Sequence, residues 1–360
     1  MDRVVAEIDL AALRANLAKV KAYAPHSKVL AMVKANAYGH GLVPIATTLA
    51  GEQVDGFGVA ALDEGITLRQ AGIKTRIILM SGVANVDELQ IAAAHRFELV
   101  IHHPSQIQLL QIASLPTPIT IWLKLDTGMH RLGFSPDSFQ QAYQALLDCH
   151  QVQKPIILMT HLSDADDISN NKTQQQIAMF QSCTAGFPGP KSIANSAAII
   201  AWPEARADWI RPGIMLYGVS PLQNQVAPQL GLAPVMTFRS RIIAVNMIPK
   251  GESIGYGSTW QCPENMPIGV VAAGYGDGYP RHAASGTPIL VEGVRCPLIG
   301  RVSMDLITID LRNLPQAKLG TPVILWGNGL PVEEIAACAG TIAYELLCSP
   351  TQRVKFTYTK

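Results

Sequence analysis

Residues able to do chemistry recur in this 360-residue sequence at one kind of position, immediately after short apolar runs. The first is a lysine. In Lys28-Val-Leu-Ala-Met-Val-Lys-Ala-Asn-Ala-Tyr-Gly-His-Gly41 the run Val29 to Val33 reads as a buried strand, and Lys34 follows it. Desolvation at such an exit lowers the pKa of an amine and makes it a nucleophile able to form a Schiff base with a carbonyl compound. Tyr38 adds a phenol, and Gly39 and Gly41 allow close approach of a ligand to the backbone.

Further candidates follow later runs. Lys124, Asp126 and Arg131 lie in Lys124-Leu-Asp-Thr-Gly-Met-His-Arg-Leu-Gly133, and His161 lies in Met159-Thr-His-Leu. Asn195 and Ser196 follow Ile193-Ala, while Arg211, Gly213 and Ile214 belong to Trp209-Ile-Arg-Pro-Gly-Ile-Met-Leu-Tyr-Gly218. Taken singly, each has an ordinary structural explanation: a core histidine, a buried arginine with a carboxylate partner, a surface ion pair, a helix cap. Taken together, an amine, arginines and a hydroxyl beside backbone amides describe a site for pyridoxal 5′-phosphate (PLP).

The elements that must carry these residues alternate. Strand-like runs occur at 28–33, 55–60, 76–80, 98–102, 118–125, 156–161, 191–194 and 208–215. Helical stretches lie between them at 41–50, 62–72, 87–95, 104–113, 137–148 and 172–184, and Asp9 is placed to cap an earlier helix that ends before Pro25. This period predicts an α/β fold, a (β/α)8 TIM barrel with its site at the strand exits. A doubly wound open sheet is the rival, but its early Gly-rich dinucleotide loop is missing. Beyond residue 230 strands follow strands, at 235–247, 267–273, 288–292, 296–299, 306–310 and 321–326, with one helical stretch at 331–339. The expected organisation is a barrel over 10–230 and a mainly β domain over 231–360, joined by an N-terminal strand within residues 1–9.

Bulk properties narrow the function. Apolar residues make up 48% of the chain and charged residues 15%, below the ~25% of average proteins, so a large buried core is expected. A net charge of +1 gives no electrostatic reason to bind nucleic acid or a membrane surface. The six cysteines form no CxxC pair and read as reduced thiols, so no metal site is expected from them. The N-terminus has no signal-peptide pattern and no apolar run reaches the length of a membrane span, so a cytoplasmic protein is expected.

Six motifs in order bear a resemblance to one family. They are Val33-Lys-Ala-Asn-Ala-Tyr-Gly-His-Gly41, Lys124 to Gly133, Arg211-Pro-Gly213, Gly255-Tyr-Gly257, Gly274-Tyr-Gly-Asp-Gly-Tyr-Pro280 and Gly300-Arg-Val-Ser-Met-Asp305. On these, over essentially its whole length, the chain resembles the alanine racemases, PLP enzymes of fold type III. The resemblance implies that Lys34 holds PLP as an internal aldimine and that Tyr38, Ser196, Gly213, Ile214 and Tyr344 hold its phosphate. Arg211 would face the pyridine nitrogen with support from His161, and Arg131 and the Met304 amide would receive the substrate carboxylate. Lys124 is the position that family members often carry carbamylated, whereas His130 matches a variable position. Tyr256, from the partner subunit of a homodimer, would be the second base of a two-base reaction, with His161 and Arg211 supplying its cationic surroundings. The product D-alanine would supply peptidoglycan. Related readings are a serine or broad-specificity racemase, a PLP-barrel decarboxylase, and a barrel that carries PLP without turnover. The decarboxylases place a cysteine where this chain has Gly255-Tyr-Gly-Ser-Thr-Trp260, and the non-catalytic barrels lack a second domain.

Overall fold

The computed structural model describes residues 3–360. Eight strands, β2 (Lys28–Met32), β3 (Gly56–Val59), β4 (Arg76–Leu79), β5 (Phe97–Ile101), β6 (Ile119–Lys124), β7 (Val152–Met159), β8 (Lys191–Asn195) and β9 (Trp209–Arg211), close a barrel in sequence order. Every pairing is parallel, and β9 returns to β2 through Lys28↔Trp209 and Val29↔Ile210. Short runs such as Phe97-Glu-Leu-Val-Ile101 are buried throughout because helices cover them outside and side chains fill them inside. The eighth strand is shorter than the 208–215 run expected from sequence. Pro212 has no N–H to continue a ladder, Gly213 turns the chain, and Ile214–Tyr217 coil into a 3₁₀ turn.

The helix Leu10–Tyr23 leads into the barrel, capped by Asp9, whose Oδ1 accepts the Ala12 N–H at 2.9 Å. Asn16, buried in that helix, donates to the Leu216 and Ala233 carbonyls and accepts from the Ala233 N–H, so it ties the helix to the end of the barrel. One buried carboxylate, Glu98, is fully engaged by the fork of Arg76 and by the Trp122 Nε1–H at 2.7 Å. Arg76 and Glu98 belong to the starts of β4 and β5, the end of the barrel away from the catalytic face, where such a cluster serves stability.

The remaining strands build a second sheet. The 13-residue β10 (Met236–Ile248) is its spine. Its first half pairs with β1 (Val5–Asp9) on one edge and β17 (Pro322–Trp326) on the other, and its second half pairs with β13 (Met266–Val271). Register shifts at Phe238/Arg239 and Ile242/Ala244 let one strand serve these partners. β14 (Pro288–Val291), β15 (Val294–Pro297) and β16 (Ile307–Asp310) extend the sheet, and β11 (Ser253–Ile254) with β12 (Trp260–Gln261) makes a small hairpin. The chain ends meet here: β1 lies parallel to β18 (Lys355–Thr359), with Val5 opposite Lys355. Among the described residues no helix is long and apolar enough to cross a membrane, and no group of three or more His, Cys, Asp or Glu residues is placed to hold a metal ion.

Among the elements that escaped the sequence reading are the helix Ala343–Cys348 and β18. Both bear on the barrel mouth. A Cβ on Gly39 would lie 1.9 Å from the Leu347 carbonyl oxygen, so the helix rests directly on the loop after Lys34. The Tyr358 hydroxyl donates to the His40 carbonyl at 3.2 Å. Because Gly39 also has φ +79°, Gly39→Ala combines a steric clash with an unfavourable backbone. It is expected to cost about 2 kcal/mol or more in urea unfolding. Gly51→Ala, at a helix end with open space around it, is expected to be neutral or stabilising by up to ~1 kcal/mol.

Candidate active site

Lys34 begins a turn of unusual hand. Ala35, Asn36, Ala37 and Tyr38 all have φ between 51° and 54°, a full left-handed turn without glycine. Each such L-residue is disfavoured by about 1–2 kcal/mol, so surrounding contacts must hold the turn. Ala37 N–H donates to the Val33 carbonyl (2.8 Å), Gly39 N–H to Ala35 (2.9 Å) and Gly41 N–H to Asn36 (3.0 Å). The Asn36 side chain accepts the Leu42 N–H at 2.8 Å. His40, wholly buried, donates from Nδ1 to the Tyr38 carbonyl at 2.8 Å and packs its ring 4.6 Å from that of Tyr217. Burial brings its pKa down to about 4, so the ring is neutral.

The turn aims Tyr38 back over the end of β9. Its ring stacks on Tyr217 at 4.9 Å and lies 6.0 Å from Tyr344 of the second domain. A Cβ on Gly213 would lie 2.5 Å from the Tyr38 hydroxyl, which explains the glycine. Ser196, buried at the start of a helix capped by Asn195, accepts the Gly213 N–H through Oγ at 2.8 Å. Tyr38, Ser196 and Gly213 thus converge, with Ile214 next to them in the chain. Burial raises the phenol pKa of Tyr38, and that of Tyr344 to about 12, so both stay protonated as donors.

Arg211 is buried and, among the described residues, meets no carboxylate. Its guanidinium donates to Ser192 Oγ (2.6 Å), the Thr160 carbonyl (2.6 Å), the Ile193 carbonyl (3.1 Å) and His161 Nδ1 (3.4 Å). Burial lowers its pKa to about 10, which leaves it cationic near neutral pH. His161 is held well below the usual histidine range, first by burial and then by Arg211, Lys124, Arg131 and Lys34. A neutral His161 that accepts at Nδ1 carries its proton on Nε2. It therefore supplies no positive charge to a tyrosine base, contrary to the expectation from sequence.

Lys124, at the end of β6, is buried, and burial with Arg211 and Arg131 brings its pKa down to about 8. The following loop is shaped by Asp126, whose Oδ1 accepts the amides of Gly128 (3.0 Å), Met129 (3.1 Å) and His130 (3.1 Å). His130 has a structural part after all, with Nδ1 3.2 Å from Asp126 Oδ2. This loop carries Arg131 close enough that, after burial, it is the next cause lowering the Lys34 pKa.

Tyr256 and Met304 are placed differently. They are 72% and 53% exposed on the second domain, and among the described residues no hydrogen bond or ring contact joins either to Lys34. Tyr256 lies in the 3₁₀ turn after β11, where the Arg301 guanidinium borders Gly257. Met304 is fixed through its carbonyl, which accepts the Gly276 N–H at 2.8 Å, while Arg3 and Arg353 clasp Asp277 and Asp305 around the loop. Several contributors, His40 among them, were not picked out from sequence. Tyr217 stands in the Arg211 motif without a recognised role, Ser192 precedes its motif, and Glu64 belongs to a helix whose cap position is alanine.

The depressed histidines set an acid limit. The folded His40 pKa of about 4 is below the unfolded value of ~6.5, so the unfolded chain binds more protons as pH falls through that window. Stability is therefore expected to decline from pH 6.5 towards 4, by on the order of 3 kcal/mol from His40 alone. Urea unfolding of His40→Gln across this range should give a shallower decline than the parent chain.

Comparison with known proteins agrees along the whole chain. The family model for the alanine racemase N-terminal domain matches residues 8–221, and that for the alanine racemase C-terminal domain matches residues 235–358. The chain is 53% identical over 361 residues to an alanine racemase of Coxiella burnetii strain CbuG_Q212, covering 99% of each. It is 49% identical over 351 residues to that of Shewanella denitrificans, covering 97% of each. The crystal structure of the biosynthetic alanine racemase from Pseudomonas aeruginosa superposes with a TM-score of 0.97 at 43% identity, covering 100% of both chains. That of the Acinetobacter baumannii enzyme gives 0.94 at 42%, also over 100% of both. With both domain models matched in order and these identities spanning its length, the chain belongs to the alanine racemase family of isomerases.

Proposed function

We propose that this chain interconverts L-alanine and D-alanine with PLP, in the cytoplasm and as a homodimer, and that its D-alanine feeds peptidoglycan. The observation that carries this reading is one barrel mouth holding a desolvated lysine, a Tyr38–Ser196–Gly213 cradle and a buried arginine held by a hydroxyl, backbone carbonyls and an imidazole. Those residues fit the cofactor. Lys34 would hold it covalently, Tyr38, Ser196, Gly213, Ile214 and Tyr344 would hold its phosphate, and Arg211 would donate to its ring nitrogen. When bound, PLP supplies an electron sink that makes the Cα proton of an amino acid acidic enough to move.

The protein's own residues do the rest. Arg131 and the Met304 amide bind the substrate carboxylate and so fix the position of Cα. Racemisation requires a proton to leave one face of that carbon and return to the other, which calls for an acid/base on each face. Lys34, its pKa lowered by burial and Arg131, is the base on one face, handling the proton of the D enantiomer. The partner subunit's Tyr256 handles that of the L enantiomer. The exposure of Tyr256 supports this division, since it leaves the phenol free to enter a neighbouring site. Arg211 keeps its proton near neutral pH, so it would donate to the ring nitrogen without protonating it, and would thereby favour proton return to Cα. Lys124, with a pKa of about 8, has enough neutral amine to take up carbon dioxide, and the resulting negative charge would brace Arg131.

The purified protein is expected to show the visible absorbance of lysine-bound PLP and to racemise alanine in a chiral assay. Lys34→Ala should lose both, and an undiminished rate in that variant would exclude the assignment. Tyr256→Phe should slow solvent-deuterium entry from L-alanine by roughly 10²–10⁴-fold while leaving PLP bound. Mixing Lys34→Ala and Tyr256→Phe protomers distinguishes the source of the second base. Regained activity supports a site built across two subunits, and continued inactivity opposes it.

A further inference from the structure

Glu64 has no part in the roles assigned above, yet it touches the residue next to Lys34. It occupies the third position of the helix Leu62–Gln70, where a carboxylate commonly folds back to cap its own helix. One oxygen does this: Oε2 accepts the N–H of Ala60 at 2.9 Å and that of Ala61 at 3.3 Å. The other oxygen leaves the helix. Oε1 accepts the N–H of Ala35 at 2.6 Å, within the left-handed turn that Lys34 opens. A single carboxylate thus bridges the exits of β2 and β3, a span that helix capping does not require.

The hydrogen bonds within the turn preserve its curvature, but they do not fix its direction relative to the barrel. Among the described residues, Glu64 is the side chain from another element that hydrogen-bonds the backbone of residues 34–38. We propose that Glu64 is the positioning residue of Lys34: its carboxylate anchors the left-handed turn to the neighbouring strand exit, aims the amine into the barrel mouth and sets a negative charge near it. This rests on the reading of Lys34 as the PLP lysine. The groups acting on that amine support it. Burial and Arg131 push the Lys34 pKa down, Lys124 adds positive charge nearby, and Glu64 and Cys348 oppose the shift. Without the Glu64 charge, the amine becomes neutral at lower pH.

Four full-length variants separate positioning from simple helix capping: Glu64→Ala, Glu64→Gln, Ala61→Ser and the double Ala61→Ser/Glu64→Ala. Ala61 is exposed and extended at the cap position, so a serine there can cap the helix without Glu64. Each is measured for thermal midpoint, for kcat and KM, and for the pH dependence of the absorbance rise when PLP is added back to resolved enzyme. Glu64→Ala is expected to lower kcat by roughly 10–100-fold with little change in KM, and to slow PLP capture. The double variant should regain the thermal midpoint but neither kcat nor capture rate. Glu64→Gln should move the capture midpoint to lower pH. Recovery of kcat and capture in the double variant, or an unmoved midpoint in Glu64→Gln, would overturn the proposal and leave Glu64 a helix cap. If the parent chain itself formed no absorbance band, the PLP reading would fall, and this inference with it.

Discussion

Positive charge crowded at one end of a barrel is the constraint on which the site depends. Lys34, Lys124, Arg131 and Arg211 act on one another there, with Glu64 and Asp126 as the opposing carboxylates. Burial removes the water that would screen them, so each cation disfavours the others. The two lysines respond by losing proton affinity. His161 responds by staying neutral, and Arg211 stays charged because its intrinsic pKa is too high for burial to strip it. An arrangement of this kind is stable when anions complete it. Under the proposed function two such anions would be a substrate carboxylate at Arg131 and a carbamate at Lys124.

Holding the amine in that field takes a strained backbone. Sequence reasoning assigns conformational freedom to Gly39 and Gly41, and both do have positive φ. The strain, however, lies one turn earlier, on two alanines, an asparagine and a tyrosine, where no residue type announces it. It is held by contacts from four directions: turn hydrogen bonds, Glu64 from the helix behind β3, His40 and Tyr217 from beneath, and the helix Ala343–Cys348 from the second domain. The second domain therefore belongs to the Lys34 environment as much as the barrel does. Tyr344 enters that environment because its helix must pack on Gly39.

Legibility in the sequence followed the range of the interactions. The eight barrel strands could be read because parallel strands buried on both faces are continuous apolar runs with helices between them. The candidate residues at strand exits could be read for the same reason, since the barrel fixes where exits point. β18 could not be placed, because its reason to exist is a partner some 350 residues earlier, and Lys-Phe-Thr-Tyr-Thr has no buried face to declare. Its aromatic and β-branched alternation was nonetheless an available signal. Glu64 was hidden because a cap box is recognised by serine or threonine three residues before the acid, and Ala61 stands there. The neutrality of His161 was hidden because burial in the folded barrel, and then four cations from separate elements, produce it.

The outer face of the second domain raises the opposite question: why should exposed residues be held so firmly? Met304 faces solvent, yet its loop is tied by backbone hydrogen bonds from Tyr275 and Gly276 to the carbonyls of Ser303 and Met304. Beneath it, buried Asp277 takes Arg3 on one oxygen and Arg353 on the other, and both arginines reach Asp305. Arg3 comes from the segment before β1 and Arg353 from that before β18, so the closure of the two chain ends into one sheet is what brings them together. A loop exposed for no purpose needs none of this, because surface ion pairs contribute little stability. Ordering a backbone amide beforehand matters when that amide must receive a ligand without first being immobilised. Under the proposed function, the parallel pairing of β1 with β18 would thus be part of how the Met304 amide is held ready for a carboxylate.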